Sequence, residues 1–246
     1  MKQQVIILDK PIGKTPLEMV SIFKQNNPEH KDTIISYAGR LDPMAHGLLI
    51  LLVGEENKNR QAYLHLDKTY EVEILFGFET DTYDILGKVT SFDFAQDKRG
   101  EVEKELETFV GKREQEYPAY SSKTVGGKPL FWWARENRLD EINIPKKIVE
   151  IFSVAYISER QISAKVLLSN IKGRIDKVVG NFRQEEILID WGKSIDKDKA
   201  YTIAKIQVAC SSGTYMRSLA NELGNSLKCG AIAYDIYRTK VGEYTI

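Results

Sequence analysis

The stretch YAGRLDPMAHGLLILLVG, residues 37–54, determines how we expect this chain to fold. Leu48 to Val53 is an uninterrupted apolar block, which is typical of a strand buried on both faces of a sheet. Asp42 lies in the turn before this block and precedes a proline, which biases it towards extended geometry. An aspartate in a turn usually caps the backbone. This carboxylate, however, is attached to a rigid core strand, and rigid elements position functional groups best.

The sequence on both sides of this block predicts further strands. Val5 to Leu8 is a short apolar run, and residues 68–77 and 201–210 alternate polar and apolar side chains, as half-buried antiparallel strands do. Shorter or less regular strands are predicted over 88–90, 147–158, 162–168, 187–189 and 231–237.

Helices are predicted between these strands. Thr15-Pro-Leu-Glu18 is a capping box with proline at the first helical position, so a helix should start there. We expect its apolar side to be formed by Leu17, Val20, Ile22 and Phe23. Further helices are predicted over 55–66, 102–110, 130–137, 172–182 and 212–224, the last with Ser211 or Ser212 and Gly224 as caps.

The order of these elements indicates the fold class. The strands cluster more than they alternate with helices, which favours an α+β fold with a mixed, mainly antiparallel central sheet and flanking helices. No repeat or linker divides the chain, so residues 1–246 are predicted to form a single domain. Residues 91–100 are expected to form an exposed loop.

The composition is that of an ordinary soluble protein, with 42% hydrophobic and 28% charged residues. Lys plus Arg and Asp plus Glu both number 35, so the net charge is zero. This balance does not favour a nucleic-acid partner, which usually shows as an excess of positive charge, but it is compatible with a local basic face.

Several classes of function lack their sequence patterns. There is no GxSxG, P-loop, HExxH or strand followed by GxGxxG. His30, His46 and His65, like Cys210 and Cys229, have no metal-ligand spacing, so we expect no metal site. The apolar run near the N-terminus is too short for a signal peptide, and no segment approaches the roughly 20 apolar residues of a membrane span. We therefore expect a cytoplasmic protein.

Two side chains besides Asp42 are candidates for a functional site. Tyr70 shares a strand face with Lys68 and Val72, and it is either a core aromatic or a platform for an unstacked base. Arg217 lies in the first turn of its predicted helix, where the helix dipole disfavours a cation. Unless it is solvated, it needs an anionic partner, either a carboxylate or a phosphate.

Six segments of the chain carry recognisable motifs in a fixed order. They are DKPIGKT at 9–15, GRLDPMAHGL at 39–48, KTY at 68–70 with TDTYDILG at 80–87, YPAYSSK to GKPLFWWAR over 117–135, CSSGTYMRSL at 210–219, and GA to IYR over 230–238. Together they resemble the TruB family of tRNA pseudouridine synthases over almost the whole chain. One such motif would be weak evidence for the family, whereas six in the same order are strong evidence.

The resemblance implies the pseudouridine synthase fold and a reaction. A uridine in the T loop of tRNA would be flipped out and isomerised to pseudouridine without metal or cofactor. Asp42 would be the nucleophilic carboxylate that engages the ribose, by attack at C1′ or by removing a proton from C2′. Tyr70 would stack on the flipped base, and Arg217 would pair with Asp42, keeping it ionised and aimed.

The resemblance also implies the substrate-binding residues. Tyr215 and Ile236 would line the base pocket, and Lys10 would support the site or contact RNA. The other residues that the motifs assign to substrate binding are Tyr37, Arg40, Lys68 and Arg238. An insertion near 117–145 would grip the T arm of tRNA. The resemblance favours a monomer that needs no protein partner and no membrane.

The chain departs from the family pattern in three places. Tyr37 stands where the family often has a histidine five residues before the catalytic aspartate. Residues 171–194 look like a further insertion. Because the chain ends just after the predicted last strand, we expect the family's C-terminal RNA-binding (PUA-type) domain to be absent, with a weaker or differently arranged grip on tRNA as the hypothesis. The salt dependence of tRNA affinity would test it.

Other functions stay open on the sequence. A pseudouridine synthase acting on ribosomal RNA also carries an Arg-Leu-Asp turn, although Pro43 and the segment 210–217 favour the tRNA type. A non-catalytic RNA-binding protein would keep the aromatic side chains and the basic insertion without needing Asp42. A purely structural α+β domain does not explain six motifs in order.

Overall fold

The computed structural model describes residues 4–90 and 99–246. The strands, in chain order, are β1 Gln4–Lys10, β2 Ile35–Ala38, β3 Ala45–Val53, β4 Lys68–Phe76, β5 Glu79–Thr80, β6 Val89–Thr90, β7 Gly111–Glu116, β8 Thr124–Val125, β9 Lys128–Pro129, β10 Lys146–Ser163, β11 Ala200–Cys210, β12 Ala231–Val241 and β13 Tyr244–Thr245. The α-helices are α1 Pro16–Asn26, α2 Arg60–Leu64, α3 Arg99–Glu107, α4 Leu130–Arg135, α5 Ala164–Ile175, α6 Gln184–Ser194 and α7 Met216–Ser226. The predicted loop over 91–100 lies outside the described residues except for the start of α3.

Among the described strands, nine form one central sheet. Its order is β1-β3-β12-β4-β11-β10-β7, with β2 beside β3 and β13 beside β12. Every neighbouring pair in that sheet is antiparallel except β3 with β12, where Ile236 lies opposite Ala45 and Arg238 opposite Gly47. The predicted mixed, mainly antiparallel α+β fold is confirmed.

Helices cover both faces of this sheet. Because strand side chains alternate between the faces, β4 directs Tyr70 and Val72 towards α7 and α3, and Leu75 towards α5 and α6. The apolar block of the opening stretch lies where the β1, β2 and β3 strands meet α1, and Leu48 to Val53 are at most 1% exposed. The prediction of a doubly buried strand is confirmed.

The region between β10 and β11 differs most from its prediction. The strands predicted over 162–168 and 187–189 are wrong, because β10 ends at Ser163 and helices α5 and α6 follow. Ile187 is fully buried while Ile189 is 56% exposed, which is helical and not strand periodicity. The helix predicted over 172–182 is wrong in its bounds, because α5 ends at Ile175.

The helix that carries Arg217 also begins later than predicted. It starts at Met216 with Tyr215 at the N-cap, so neither predicted serine cap is correct. Ser211 instead receives a hydrogen bond from the Glu150 amide at 2.9 Å. Gly224 does not end α7 but lies inside it, where a Cβ would come within 2.1 Å of the Ala231 nitrogen on β12.

Two smaller differences concern surface positions. The capping box at Thr15 and Glu18 is present as predicted, but Leu17 is 66% exposed and Met19 is buried in its place. The polar strand β7 pairs with β10 at the end of the sheet, and the sequence did not predict it. Edge strands often carry charged residues, so β7 lacks the apolar alternation that would reveal it. No helix within residues 4–90 and 99–246 is long and apolar enough to cross a membrane.

The parallel contact between β3 and β12 requires a glycine at position 47. Gly47 has φ +100°, and a Cβ there would lie 2.4 Å from the Arg238 carbonyl oxygen. We therefore expect Gly47→Ala to lower the free energy of unfolding by about 2–4 kcal/mol. Gly192→Ala is the matched control, since Gly192 lies in α6 with open space around it and should gain about 0.5–1 kcal/mol. Urea unfolding measures both, and equal midpoints would contradict the expectation.

Candidate active site

The turn that carries Asp42 is fixed by backbone hydrogen bonds and by one buried arginine. The Ala45 amide donates to the Asp42 carbonyl at 3.0 Å, and the Gly13 amide donates to the Pro43 carbonyl at 2.8 Å. Arg238, on β12 and 1% exposed, donates to the backbone carbonyls of Leu48, Arg40 and Gly39 at 2.8, 3.1 and 3.4 Å. The guanidinium therefore holds the turn and does not face the solvent.

Arg217 lies against Asp42. Its Nε donates to Asp42 Oδ2 at 2.8 Å, its Nη1 to the Thr82 carbonyl at 2.6 Å and its Nη2 to the Tyr120 carbonyl at 3.2 Å. A second carboxylate, that of Asp84, has Oδ2 3.8 Å from Nε. The side chain of Arg217 is 3% exposed and that of Asp42 is 38% exposed. Asp42 thus has one side paired with a buried cation and another side accessible.

Asp84 was not among the predicted site residues, although its motif was recognised. Its Oδ1 accepts hydrogen bonds from Thr82 Oγ1 at 2.7 Å and from the Leu86 amide at 2.9 Å. Burial raises the pKa of Asp84 to about 6, while the neighbouring Arg217 opposes the shift. The sequence offered no sign that Asp84 faces Arg217.

A cavity of about 460 Å³ opens on one side of Asp42. Tyr70, Ile236 and Tyr215 line it, which brings together the residues expected to hold the base. Burial raises the pKa of Tyr70, and burial with the nearby Asp42 raises that of Tyr215 to about 12, so both phenols keep their protons at neutral pH. The Tyr117 ring meets the Tyr215 ring edge-on, with centroids 5.7 Å apart.

Gln115 fixes the backbone of Tyr215 and was missed by the sequence analysis. Its Oε1 accepts from the Tyr215 amide at 2.8 Å, and its Nε2 donates to the Tyr215 carbonyl at 3.2 Å. Gln115 is buried on β7, the polar strand that no apolar pattern marks. Recognition of that edge strand would have been needed to place this amide.

The two predicted lysines are buried beside the turn. Lys10 Nζ donates to the carbonyls of Pro11 at 3.0 Å and Lys14 at 2.6 Å, and Lys68 Nζ donates to the carbonyls of Leu64 and Leu66. Burial lowers the pKa of each ammonium to about 8. This placement favours a supporting role for Lys10 over direct contact with RNA.

Tyr37 and Arg40 lie at the edge of the site. Tyr37 is half-buried on β2 and borders a second cavity of about 430 Å³ on another side of Asp42. Arg40 is exposed and borders both cavities. The second cavity is also lined by Phe131 and Arg135 of α4 and by residues 181–183 of the connection between α5 and α6.

These features define the chemistry available. The carboxylate of Asp42 is partly exposed, lies between two cavities and is oriented by the buried guanidinium of Arg217. Such a carboxylate can act as a nucleophile or as a base on a group that enters from outside. No group of three or more His, Cys, Asp or Glu side chains that could hold a metal ion occurs in the described part of the chain.

Comparison with known proteins identifies a family and several relatives. The family model described as TruB family pseudouridylate synthase (N terminal domain) matches residues 30–175. The chain is 31% identical over 246 residues to the tRNA pseudouridine synthase B of Thermotoga petrophila, covering 100% of this chain and 65% of that protein. The Lactobacillus acidophilus protein of the same name is 32% identical, with 100% of this chain and 71% of that protein covered. The Bordetella avium protein is 30% identical, with 98% of this chain and 82% of that protein covered.

Solved structures share the fold at lower identity. A Cbf5-Nop10-Gar1 complex contains a chain that superposes with TM-score 0.60 and 17% identity, covering 98% of this chain and 49% of that chain. A chain of an H/ACA RNP bound to a substrate RNA containing 2′-deoxyuridine superposes with TM-score 0.57 and 16% identity, covering 98% and 48%. These likenesses establish the architecture alone.

The raised pKa of Asp84 predicts a pH-dependent stability. Since the folded state holds this proton up to about pH 6, against 3.8 ordinarily, the wild type should lose stability on the order of 2 kcal/mol as pH rises from 4 to 7. Asp84→Asn should remove this part of the dependence of stability on pH. Urea unfolding at a series of pH values measures it, with the exposed Asp140→Asn as control. Parallel pH profiles for wild type and Asp84→Asn would contradict the assignment.

Proposed function

Because the chain belongs to the TruB family of pseudouridylate synthases, we propose that it converts a uridine in the T loop of tRNA to pseudouridine. The observation that carries this proposal is the Asp42–Arg217 pair at 2.8 Å, set between two cavities and formed by two segments 175 residues apart. The reaction breaks the bond between N1 of uracil and C1′ of ribose and forms a bond from C1′ to C5. N1 ends with a proton, and C5 gives up its own.

Asp42 is the residue that acts on the ribose in this proposal. Arg217 binds its Oδ2, while the side chain stays 38% exposed and can meet a substrate. The buried guanidinium is held in place, because its Nη1 and Nη2 donate to two backbone carbonyls and Asp84 lies 3.8 Å from its Nε. Such preorganisation is what an active-site carboxylate requires.

The cavity of about 460 Å³ would hold the flipped base. Tyr70, 8% exposed, and Ile236, 5% exposed, form an apolar floor against which a uracil ring can stack. Because burial raises the pKa of Tyr70, its phenol stays protonated and can donate a proton or hydrogen bond to the base. Unstacking the uridine from a folded loop costs a few kcal/mol, which such contacts offset.

The segment from Tyr117 to Arg138 would bind the arm of the tRNA. Cations lie over its aromatic rings: Lys123 is 5.3 Å from the Tyr117 ring, and Arg138 lies 5.5 Å from the Trp132 ring. Exposed cations held on rings can meet phosphates while the rings present stacking surfaces. This local basic and aromatic face is compatible with the zero net charge of the whole chain.

Asp42→Asn tests the proposed chemistry. We expect pseudouridine formation in tRNA to fall by at least about 1,000-fold, because the amide cannot act as a nucleophile or base. Binding of the T-arm stem-loop should stay within about threefold, since the amide keeps the shape of the carboxylate. Mapping pseudouridine after incubation measures the loss of modification, and an equilibrium binding experiment measures the affinity for the stem-loop. The matched control is Asp198→Asn, an exposed aspartate between α6 and β11.

The outcomes separate the alternatives. Full turnover by Asp42→Asn would overturn the mechanism. A wild-type protein that binds the T arm but modifies no uridine would favour a non-catalytic RNA-binding function. Modification of ribosomal RNA fragments in preference to the T-arm stem-loop would change the substrate class and leave the role of Asp42 intact.

A further inference from the structure

The helical pair α5 and α6 is anchored to the sheet. Ile175, Ile187 and Trp191 are fully buried, and Trp191 Nε1 donates to the Ile85 carbonyl at 3.1 Å. Ile85 belongs to the same loop as Asp84. The two helices are therefore part of the core, and whatever their connection touches is held in a fixed place.

The connection between the helices, residues 176–183, is itself fixed. Gln184 Nε2 donates to the carbonyls of Val178 at 3.1 Å and Gly180 at 2.7 Å, and its Oε1 accepts from the Phe182 amide at 2.8 Å. Arg183 has φ 64°, the left-handed region that a non-glycine residue adopts only when its surroundings require it. The three hydrogen bonds with Gln184 therefore hold the backbone next to Arg183.

Arg183 joins the two segments that hold Arg217. Its Nη1 and Nη2 donate to Asp81 at 2.7 and 3.3 Å, and its guanidinium lies 4.4 Å from the centre of the Tyr120 ring. Arg217 donates to the carbonyl of Tyr120 and to that of Thr82, the residue that follows Asp81. Arg183 therefore contacts both segments that supply these carbonyls. The side chain of Arg183 is only 18% exposed.

We propose that Arg183 is a positioning residue for the reaction, which fixes the 81–84 loop and Tyr120 so that Arg217 holds Asp42 in its reactive orientation. This rests on the proposed function. The segment predicted as a further insertion thereby gains a role in the active site. The effect reaches Asp42 through two hydrogen-bonded carbonyls, and small displacements of such supporting groups typically cost 10- to 100-fold in rate.

The variant that tests this is Arg183→Gly, because glycine adopts the left-handed conformation without strain. We expect kcat for a T-arm stem-loop to fall about 10- to 100-fold, with KM changed by less than about threefold, since the lost contact acts on chemistry and not on RNA binding. Asp81→Asn should give a similar loss, and the double variant should lose little more than either single variant. The control is Arg160→Ala, which removes an arginine paired with Glu73 at 2.7 Å on the sheet surface.

A readout independent of activity is the exchange of the Arg217 Nε proton with solvent, followed by NMR on protein labelled with ¹⁵N-arginine. We expect exchange to be faster in Arg183→Gly than in the wild type, because the hydrogen bond to Asp42 is less constrained. A thermal melt of the variant within a few degrees of wild type would show that the fold is kept.

Three results would decide the proposal. Unchanged kcat and unchanged proton exchange in Arg183→Gly would overturn it. A raised KM with unchanged kcat would also overturn it and identify Arg183 as an RNA contact. Faster proton exchange in a protein whose wild type makes no pseudouridine would support the positioning role while the proposed function fails.

Discussion

The structure depends on one buried cation. Arg217 is removed from water at the start of α7, where the helix dipole is unfavourable, and an unpaired guanidinium there would be very costly. Asp42, Asp84 and two backbone carbonyls compensate for that cost together. These groups come from three parts of the chain, so pairing this one guanidinium defines how the turn before β3, the loop after β5 and the segment after β7 lie relative to α7.

Buried positive charge surrounds the Asp42 turn on its other sides as well. Lys10, Lys68 and Arg238 are each at most 5% exposed and donate to backbone carbonyls. Arg238 binds carbonyls on both sides of Asp42, whereas Lys10 and Lys68 bind carbonyls of neighbouring segments. Such residues do not add to a basic surface, so a count of charges along the sequence could not indicate where a basic surface lies.

The sequence predicted what local pattern controls. The apolar block Leu48 to Val53, the alternation in β4 and β11, and the capping box at Thr15 each led to a correct element. The apolar pattern gave a wrong prediction for α6, because the three apolar residues at 187–189 fit a strand as well as a helix. The position of Arg217 predicted an anionic partner, and the motifs indicated Asp42. Asp84, Gln115 and Arg183 could not be predicted from local pattern, because Gln115 and Arg183 bind partners 100 and 102 residues away and Asp84 lies against the similarly distant Arg217. Gln115 also lies on an edge strand without an apolar pattern.

The parallel contact of β3 with β12 has a consequence for how the protein reaches its folded state. It joins residues 45–47 to residues 236–238, and Arg238 completes the turn around Asp42 only after nearly the whole chain is available. Pairings between such distant segments carry a large loop-closure cost and form slowly. During synthesis, β1 and β3 can pair long before β12 emerges from the ribosome. The turn that carries Asp42 would then be among the last parts to become ordered, so that an incomplete chain has part of the sheet but not the assembled candidate site.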